Sequence, residues 1–288
     1  MSPGAPLAAS SSTTESPAMA YLPNGVRLAY VVLGNRRGDG ATEPPILLNR
    51  PLGGSMALWG EFATRLATEF QVIAFDPRGV GKSSGIPPLF STRKMAGDAV
   101  ALLDFLRVPR AHVFGISLGG MVASWMAVDA RDRMSRLILA ATLSESTAIS
   151  RRVVGHLGGL LRAFARHGVE AEVQLVREIL SPEFRREHPA RVQAIEAIVR
   201  RDPMSRRNLV LLGLAAATHD ADCALRGNAE RTLLLQGELD PIAGGVSQAE
   251  LLRDLPNATL EVIAHAGHDL SLEAPVELAD RILRFLRR

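Results

Sequence analysis

The sequence is poor in several things, and each shortage excludes something. A single cysteine, Cys223, stands in 288 residues, which rules out an internal disulfide and any cysteine-based metal cluster and leaves that residue as a small side chain for burial. Net charge is small: 33 Lys+Arg against 30 Asp+Glu give a formal +3. The isoelectric point of 9.6 reflects a surplus carried almost wholly by arginine. These arginines are interspersed with acids rather than striped along one face, so a nucleic-acid partner is not expected. The longest apolar run, residues 209–217, is far too short to cross a bilayer, so no membrane partner is expected either. Residues 1–17 are rich in Ser, Ala, Pro and Thr and have neither a basic start nor a continuous apolar core. They fail the pattern of a secretory signal and read as a disordered tail. The expectation is a cytoplasmic protein with no metal and no cofactor.

What is present is an alternation. Residues 20–22 and 26–33 flank Pro23-Asn24-Gly25, and Asn-Gly between two β-favouring runs signals a hairpin. Residues 45–48, 72–75, 111–114, 136–141, 231–236 and 258–263 are short, largely apolar runs. Helical periodicity separates them, as at Met95, Ala99, Leu102, Leu103 and Leu106. This is the pattern of a parallel sheet covered on both faces. From residue 145 to about 224 only helical periodicity remains, over 157–164, 173–180, 192–199 and 209–217, broken by Ser181-Pro182, Pro189 and Asp202-Pro203. The expected organisation is a tail over 1–18, an α/β core over 19–144 and 225–288, and a helical cap over 145–224. Apolar cap residues such as Leu157, Leu160, Leu161 and Leu212 are candidates to line a pocket.

Gly115-Ile116-Ser117-Leu118-Gly119-Gly120 organises the chain. With glycine near 7% of ordinary sequence and serine similar, a G-x-S-x-G arises by accident in roughly one chain in ten of this length, so the motif alone decides little. Its context decides more. The apolar run before it and the uncharged helical run 121–128 after it make a strand, a sharp turn and a buried helix. In such a turn the serine takes a strained conformation and stands out as a nucleophile, while the Leu118 N–H at the mouth of the helix points at an oxyanion. By contrast Gly79-x-Gly81-Lys82-Ser83 lacks the G-x-x-x-x-G-K spacing of a phosphate-binding loop.

A serine hydroxyl needs a base, and the base needs a carboxylate to orient it. Asp240 and His268 lie in the loops after the two strands that follow the insertion, in the order Ser, Asp, His. Glu238 shares the loop with Asp240, and Glu145 follows the preceding strand; Asp240-Pro241 begins a turn at the loop tip, which favours Asp240. His265 is close to His268, but Gly267-His268 puts the second imidazole on a glycine-relieved turn. The second oxyanion donor is expected in the loop after Leu48, where Leu52 is the candidate because Pro51 has no N–H.

Asp76-Pro77-Arg78-Gly79-Val80-Gly81-Lys82-Ser83, Gly115 to Gly120, Asp240 and Gly267-His268 together resemble the α/β-hydrolase superfamily. Within it, Gly115 to Met121 with Trp125, the stretch Ser181-Pro182-Glu183-Phe184 to His188-Pro189, and Leu48-Asn49 resemble 3-oxoadipate enol-lactone hydrolases. The resemblance implies a mostly parallel sheet with helices on both faces and an inserted helical cap. It also implies cofactor-free cleavage of a small-molecule carboxylic ester or lactone through an acyl-enzyme on Ser117, His268 and Asp240. Transfer to another acceptor, as in an acyltransferase or perhydrolase, or a ligand receptor without turnover, are the alternatives.

The chain departs from the pattern at Arg50-Pro51, where most superfamily members have His-Gly, and the loop there is a residue longer than in enol-lactonases. Beside the oxyanion loop, the Arg50 guanidinium would be placed to grip a substrate carboxylate; the other reading pairs it with a nearby acid. Trp125 is likewise a candidate substrate contact, with core packing as the alternative.

Overall fold

The computed structural model describes residues 16–34, 43–143, 168–221, 225, 231–242 and 244–288. Most of the expected tail, Cys223, Glu145 and the helix expected over 157–164 lie outside the described residues.

Eight strands form one sheet: β1 (Ala18–Tyr21), β2 (Arg27–Leu33), β3 (Ile46–Asn49), β4 (Val72–Phe75), β5 (Ala111–Ile116), β6 (Met134–Ala140), β7 (Thr232–Gly237) and β8 (Ala258–Ile263). Their order is β1-β2-β4-β3-β5-β6-β7-β8. β1 and β2 form the hairpin announced by Asn24-Gly25, and β2 runs antiparallel to β4. Every later pairing is parallel. β3, β4, β5 and β7 are buried along their whole lengths, as strands covered on both faces must be.

Period-two geometry sorts their side chains onto two cores. Leu47, Ile73, Val113, Leu137, Leu139 and Leu234 point to one face, under α2 (Thr92–Phe105) and α3 (Leu118–Asp129). Ile46, Leu48, Val72, Phe114, Ile138 and Leu235 point to the other, under α1 (Gly60–Leu66) and the terminal helix. Burying each such side chain contributes roughly 1.5–3 kcal/mol.

The insertion between β6 and β7 contains α4 (Val169–Ile179), α5 (Pro182–Glu187), α6 (Pro189–Arg201) and α7 (Arg206–Ala217). The breakers read in the sequence start these helices. Ser181 and Ser205 cap α5 and α7 by accepting the N–H groups of Phe184 and Asn208, and Pro182 and Pro189 occupy first-turn positions where a missing N–H costs nothing. Val173, Val176, Phe184, Val192, Ile195 and Val199 form a third core. Leu58, from the turn after β3, and Leu272, near His268, belong to that same core. The insertion is thereby packed onto the loops at one edge of the sheet.

Among the described residues three α-helices were not expected: α5 and two between β7 and the terminal helix, at residues 244–254 and 270–273. α8 (Gly244–Asp254) joins β7 to β8, and it follows from topology, since adjacent parallel strands need a crossover. Short α9 (Leu270–Glu273) and the amphipathic α10 (Pro275–Leu286) complete the fold. Arg78 ties its loop to α2 through two 2.6 Å hydrogen bonds to Asp98. Among the described residues no helix is long and apolar enough to cross a membrane.

Two buried histidines give the fold an acid limit. His112 in β5 has no hydrogen-bond partner on either ring nitrogen among the described residues. Burial, and then the charges of Arg136 and Arg110, push it from 6.5 to about 4. Burial pushes His219 from 6.5 to about 4 as well, against a hydrogen bond to Leu143; its Nδ1 lies 2.9 Å from Thr92 Oγ1. Between these values the unfolded chain binds a proton that the folded chain does not, so the stability contribution is complete above pH 6.5 and is lost as pH falls towards 4. Each shift is worth on the order of 3 kcal/mol at the acid end. The melting temperature should therefore drop between pH 6.5 and 4.5, and His112→Leu should reduce that drop by a few degrees. A thermal-melt series in which the variant keeps the full drop would contradict this account.

Candidate active site

Ser117 is the single residue between β5 and α3, with φ 53° and ψ −120°. A positive φ on a residue with a side chain is strained by roughly 1–3 kcal/mol and persists only where its surroundings hold it. Here they do. The Ser117 N–H donates to Ala140 O at 2.9 Å, and its carbonyl accepts the N–H groups of Gly120 and Met121 and the hydroxyl of Thr142. The flanking glycines let three backbones meet: a Cβ on Gly115 would lie 2.2 Å from Gly119 O, and one on Gly119 would lie 2.0 Å from Asn49 O. The motif is thus set by close approach of strand, helix and the loop leaving β3.

The three residues expected to act together do converge. His268 Nε2 lies 2.8 Å from Ser117 Oγ. Its Nδ1 lies 3.0 Å from both Asp240 Oδ1 and Asp240 Oδ2. With the carboxylate on Nδ1, that nitrogen carries the proton and donates it to Asp240, leaving the Nε2 lone pair to accept the Ser117 hydroxyl. Asp240 is held in turn by the Ile242 N–H on Oδ1 at 2.8 Å and by Gln236 Nε2 on Oδ2 at 3.1 Å. Burial pushes the His268 pKa down, but the charge of Asp240 and its hydrogen bond push it up, helped by Asp269 and Glu273; the net shift is upward from 6.5. The arrangement can take a proton from Ser117 and hold it on an imidazole stabilised by a buried carboxylate.

The two candidate oxyanion donors lie on segments that leave one edge of the sheet. β3 and β5 pair with Asn49 opposite Gly115, so the loop after β3 and the turn at Ser117 leave the same edge at the same level. Among the described residues the N–H groups of Leu52 and Leu118 have no partner within the protein. Leu118 opens α3, where the helix dipole adds partial positive charge.

Arg50 and Trp125 do not join this cluster. Arg50 takes the acid-paired alternative: its Nη2 lies 3.0 Å from Asp269 Oδ2, with both side chains at most 1% exposed, and its guanidinium stacks 4.6 Å over the Trp59 ring. Asp269 follows His268 directly, so this pair ties the oxyanion loop to the histidine loop; its partner could not be found from the sequence, where the two lie 219 residues apart. Burial lowers the Arg50 pKa more than Asp269 raises it. Trp125 sits two turns into α3, with Arg93 4.7 Å over its ring and His219 against its edge. Leu212 is packed into the core under α2 and α3. His265 is exposed, its ring 3.3 Å from Glu183 and its N–H bonded to Glu238. Among the described residues no group of three or more His, Cys, Asp or Glu is placed to hold a metal ion.

Comparison with known proteins agrees with the fold. A family model described as alpha/beta hydrolase fold matches residues 44–275. RutD of Pseudomonas syringae pv. syringae, whose name ascribes carbamate hydrolysis to it, is 29% identical over 248 residues, covering 85% of this chain and 95% of that protein. The structure of a thermophilic esterase from Thermogutta terrifontis is 25% identical with a TM-score of 0.80, covering 95% of this chain and 98% of that one. The enol-lactonase of Burkholderia xenovorans LB400, at 22% identity and a TM-score of 0.82, covers 94% of this chain and all of its own, and shares the fold.

Gly119→Ala tests the local geometry. Its Cβ would meet Asn49 O and Arg50 O, both main-chain atoms that can yield only by moving the loop after β3. We expect destabilisation of about 1–3 kcal/mol, together with at least a tenfold fall in hydrolytic turnover. Wild-type melting and turnover would contradict the packing described here.

Proposed function

The chain belongs to the α/β-hydrolase fold family and is a hydrolase, and from that premise we propose that it cleaves a carboxylic ester or lactone of a small molecule through an acyl-enzyme on Ser117. The observation that carries this reading is the 2.8 Å approach of His268 Nε2 to Ser117 Oγ while Asp240 occupies the other ring nitrogen. His268 removes the Ser117 proton as Oγ bonds to the substrate carbonyl carbon. The carbonyl oxygen takes the electron pair and is held by the N–H groups of Leu52 and Leu118, each such donor being worth about 2.7–4 kcal/mol of barrier. Collapse of this intermediate breaks the bond to the alkoxide, which leaves with the proton from His268. Water then gives a proton to His268, attacks the acyl carbon and releases the acid, restoring Ser117. Asp240 keeps the imidazole oriented and stabilises its protonated form throughout.

A second substrate class has support of its own. The RutD relative matches along nearly its whole length, and a carbamate offers the same attackable carbonyl carbon with nitrogen on one side. A panel of p-nitrophenyl esters, lactones and carbamates separates the two readings.

Ser117→Ala should lower p-nitrophenyl ester cleavage on the order of 10⁴-fold or more while leaving the melting temperature close to wild type. Retained turnover would remove Ser117 from the role of nucleophile. The pH profile gives an independent check. His268 must be neutral to act as base, and its pKa lies above 6.5, so kcat/KM should fall as pH drops through a midpoint above that value. Asp240→Asn should move the midpoint down and cut kcat by roughly 10³–10⁴-fold. A profile flat from pH 5 to 8 would exclude His268 as the base.

A further inference from the structure

The loops that carry the candidate machinery are joined from outside by one stretch of the insertion. Glu172, in the first turn of α4, is fully buried. Its Oε1 accepts the Gly54 N–H at 3.2 Å, and its Oε2 accepts the Met204 N–H at 2.8 Å. Gly54 lies two residues beyond Leu52 on the oxyanion loop. At the other end of the same helix, the Ile179 carbonyl accepts the His268 N–H at 3.0 Å. Just past that end, the Ser181 N–H donates to Glu273 Oε1 at 3.1 Å. Glu172 and Ile179 are separated by about 10 Å of helix axis, at roughly 1.5 Å per residue. Midway between them the loop runs against the helix, for a Cβ on Gly53 would lie 3.3 Å from Val176 Cγ2.

We propose that Glu172 is a positioning residue for the oxyanion hole, and that α4 is a splint fixing the distance between the Leu52 loop and His268. The proposal rests on the Ser117 reading above. What singles out Glu172 is its chemistry. Among the described residues no Lys or Arg pairs with it, so the carboxylate is not buried to satisfy a cation. Each oxygen instead accepts an N–H from a different loop. Burial disfavours its charge, and those two bonds are what oppose that cost. A glutamine of the same shape has one acceptor and would set an NH2 group against a second N–H donor, so it cannot hold both loops.

The test is Glu172→Gln in the full chain, read by steady-state ester kinetics and by inhibition with an aryl trifluoromethyl ketone, which forms a hemiketal oxyanion on an active-site serine. We expect kcat to fall about 10- to 100-fold, short of the roughly 10²–10³-fold lost when an oxyanion donor is removed outright. KM should change less than about threefold, and the ketone Ki should rise in proportion to the loss of kcat/KM. The acid midpoint of the pH profile should stay in place, because the His268–Asp240 pair is untouched. A fall in kcat with an unchanged Ki, or no fall at all, would overturn the proposal. If the glutamine variant does not fold, Glu172→Asp carries the test: it keeps both acceptors one methylene short and should show the same proportion between Ki and kcat/KM at a smaller loss. The two readings fail separately. Ketone binding that persists in Ser117→Ala, read by titration calorimetry, removes the serine reading, whereas binding abolished there but unaltered in the Glu172 variants removes only the splint.

Discussion

Ser117 sits in a backbone conformation that an L-residue adopts only under compulsion, with φ at 53° and ψ at −120°. The compulsion comes from main-chain atoms rather than side chains. β5 delivers the residue from a fully buried strand, α3 begins one residue later, and Gly115 and Gly119 allow helix, strand and the loop after β3 to lie closer together than any Cβ permits. The same contact brings the loop that carries Leu52 against the start of α3. The candidate nucleophile and the candidate oxyanion donors therefore share one cause: a Cβ at Gly119 would disturb both.

Around that turn two buried carboxylates are each met by several donors, which offsets the cost of keeping their charge in an apolar interior. Asp240 receives His268, Gln236 and the Ile242 N–H. Asp269 receives Arg50 and Ser271, and Arg50 is covered by Trp59. The ion pair of Arg50 and Asp269 has lost its water, so its worth lies in geometry rather than net stability. It fixes the loop after β3 to the residue that follows His268. The insertion adds a third core shared with Leu58 and Leu272, one from each of those two regions. Its helices are built into the edge of the sheet that carries the candidate site.

The fold was largely legible because strand and helix periods are local properties. The eight apolar runs and the Asn24-Gly25 hairpin needed no knowledge of distant residues, and the sheet sorted them onto two faces as period two requires. α8 was missed because its apolar pattern is weak, although the parallel pairing of β7 and β8 demands a crossover. Ser117, Asp240 and His268 could be placed together because each follows a recognisable strand, so topology puts their loops on one edge. The supporting residues could not. Arg50 and Asp269 are far apart in sequence, and an arginine beside an oxyanion loop invites a substrate reading until its partner is seen. Glu172 left a faint signal: with Val176 and Ile179 it occupies one stripe of α4, an acid on an otherwise apolar face.

Ser117 is proposed as the single nucleophile, activated where the turn holds it. Treatment with a fluorophosphonate, followed by peptide mass spectrometry, tests this most directly, because phosphonylation needs an activated hydroxyl beside oxyanion donors and no knowledge of the natural substrate. The account predicts one adduct per chain, on Ser117, forming faster as pH rises through the His268 midpoint. An adduct on another residue, or none under conditions where the protein is folded and turning over an ester, would contradict it.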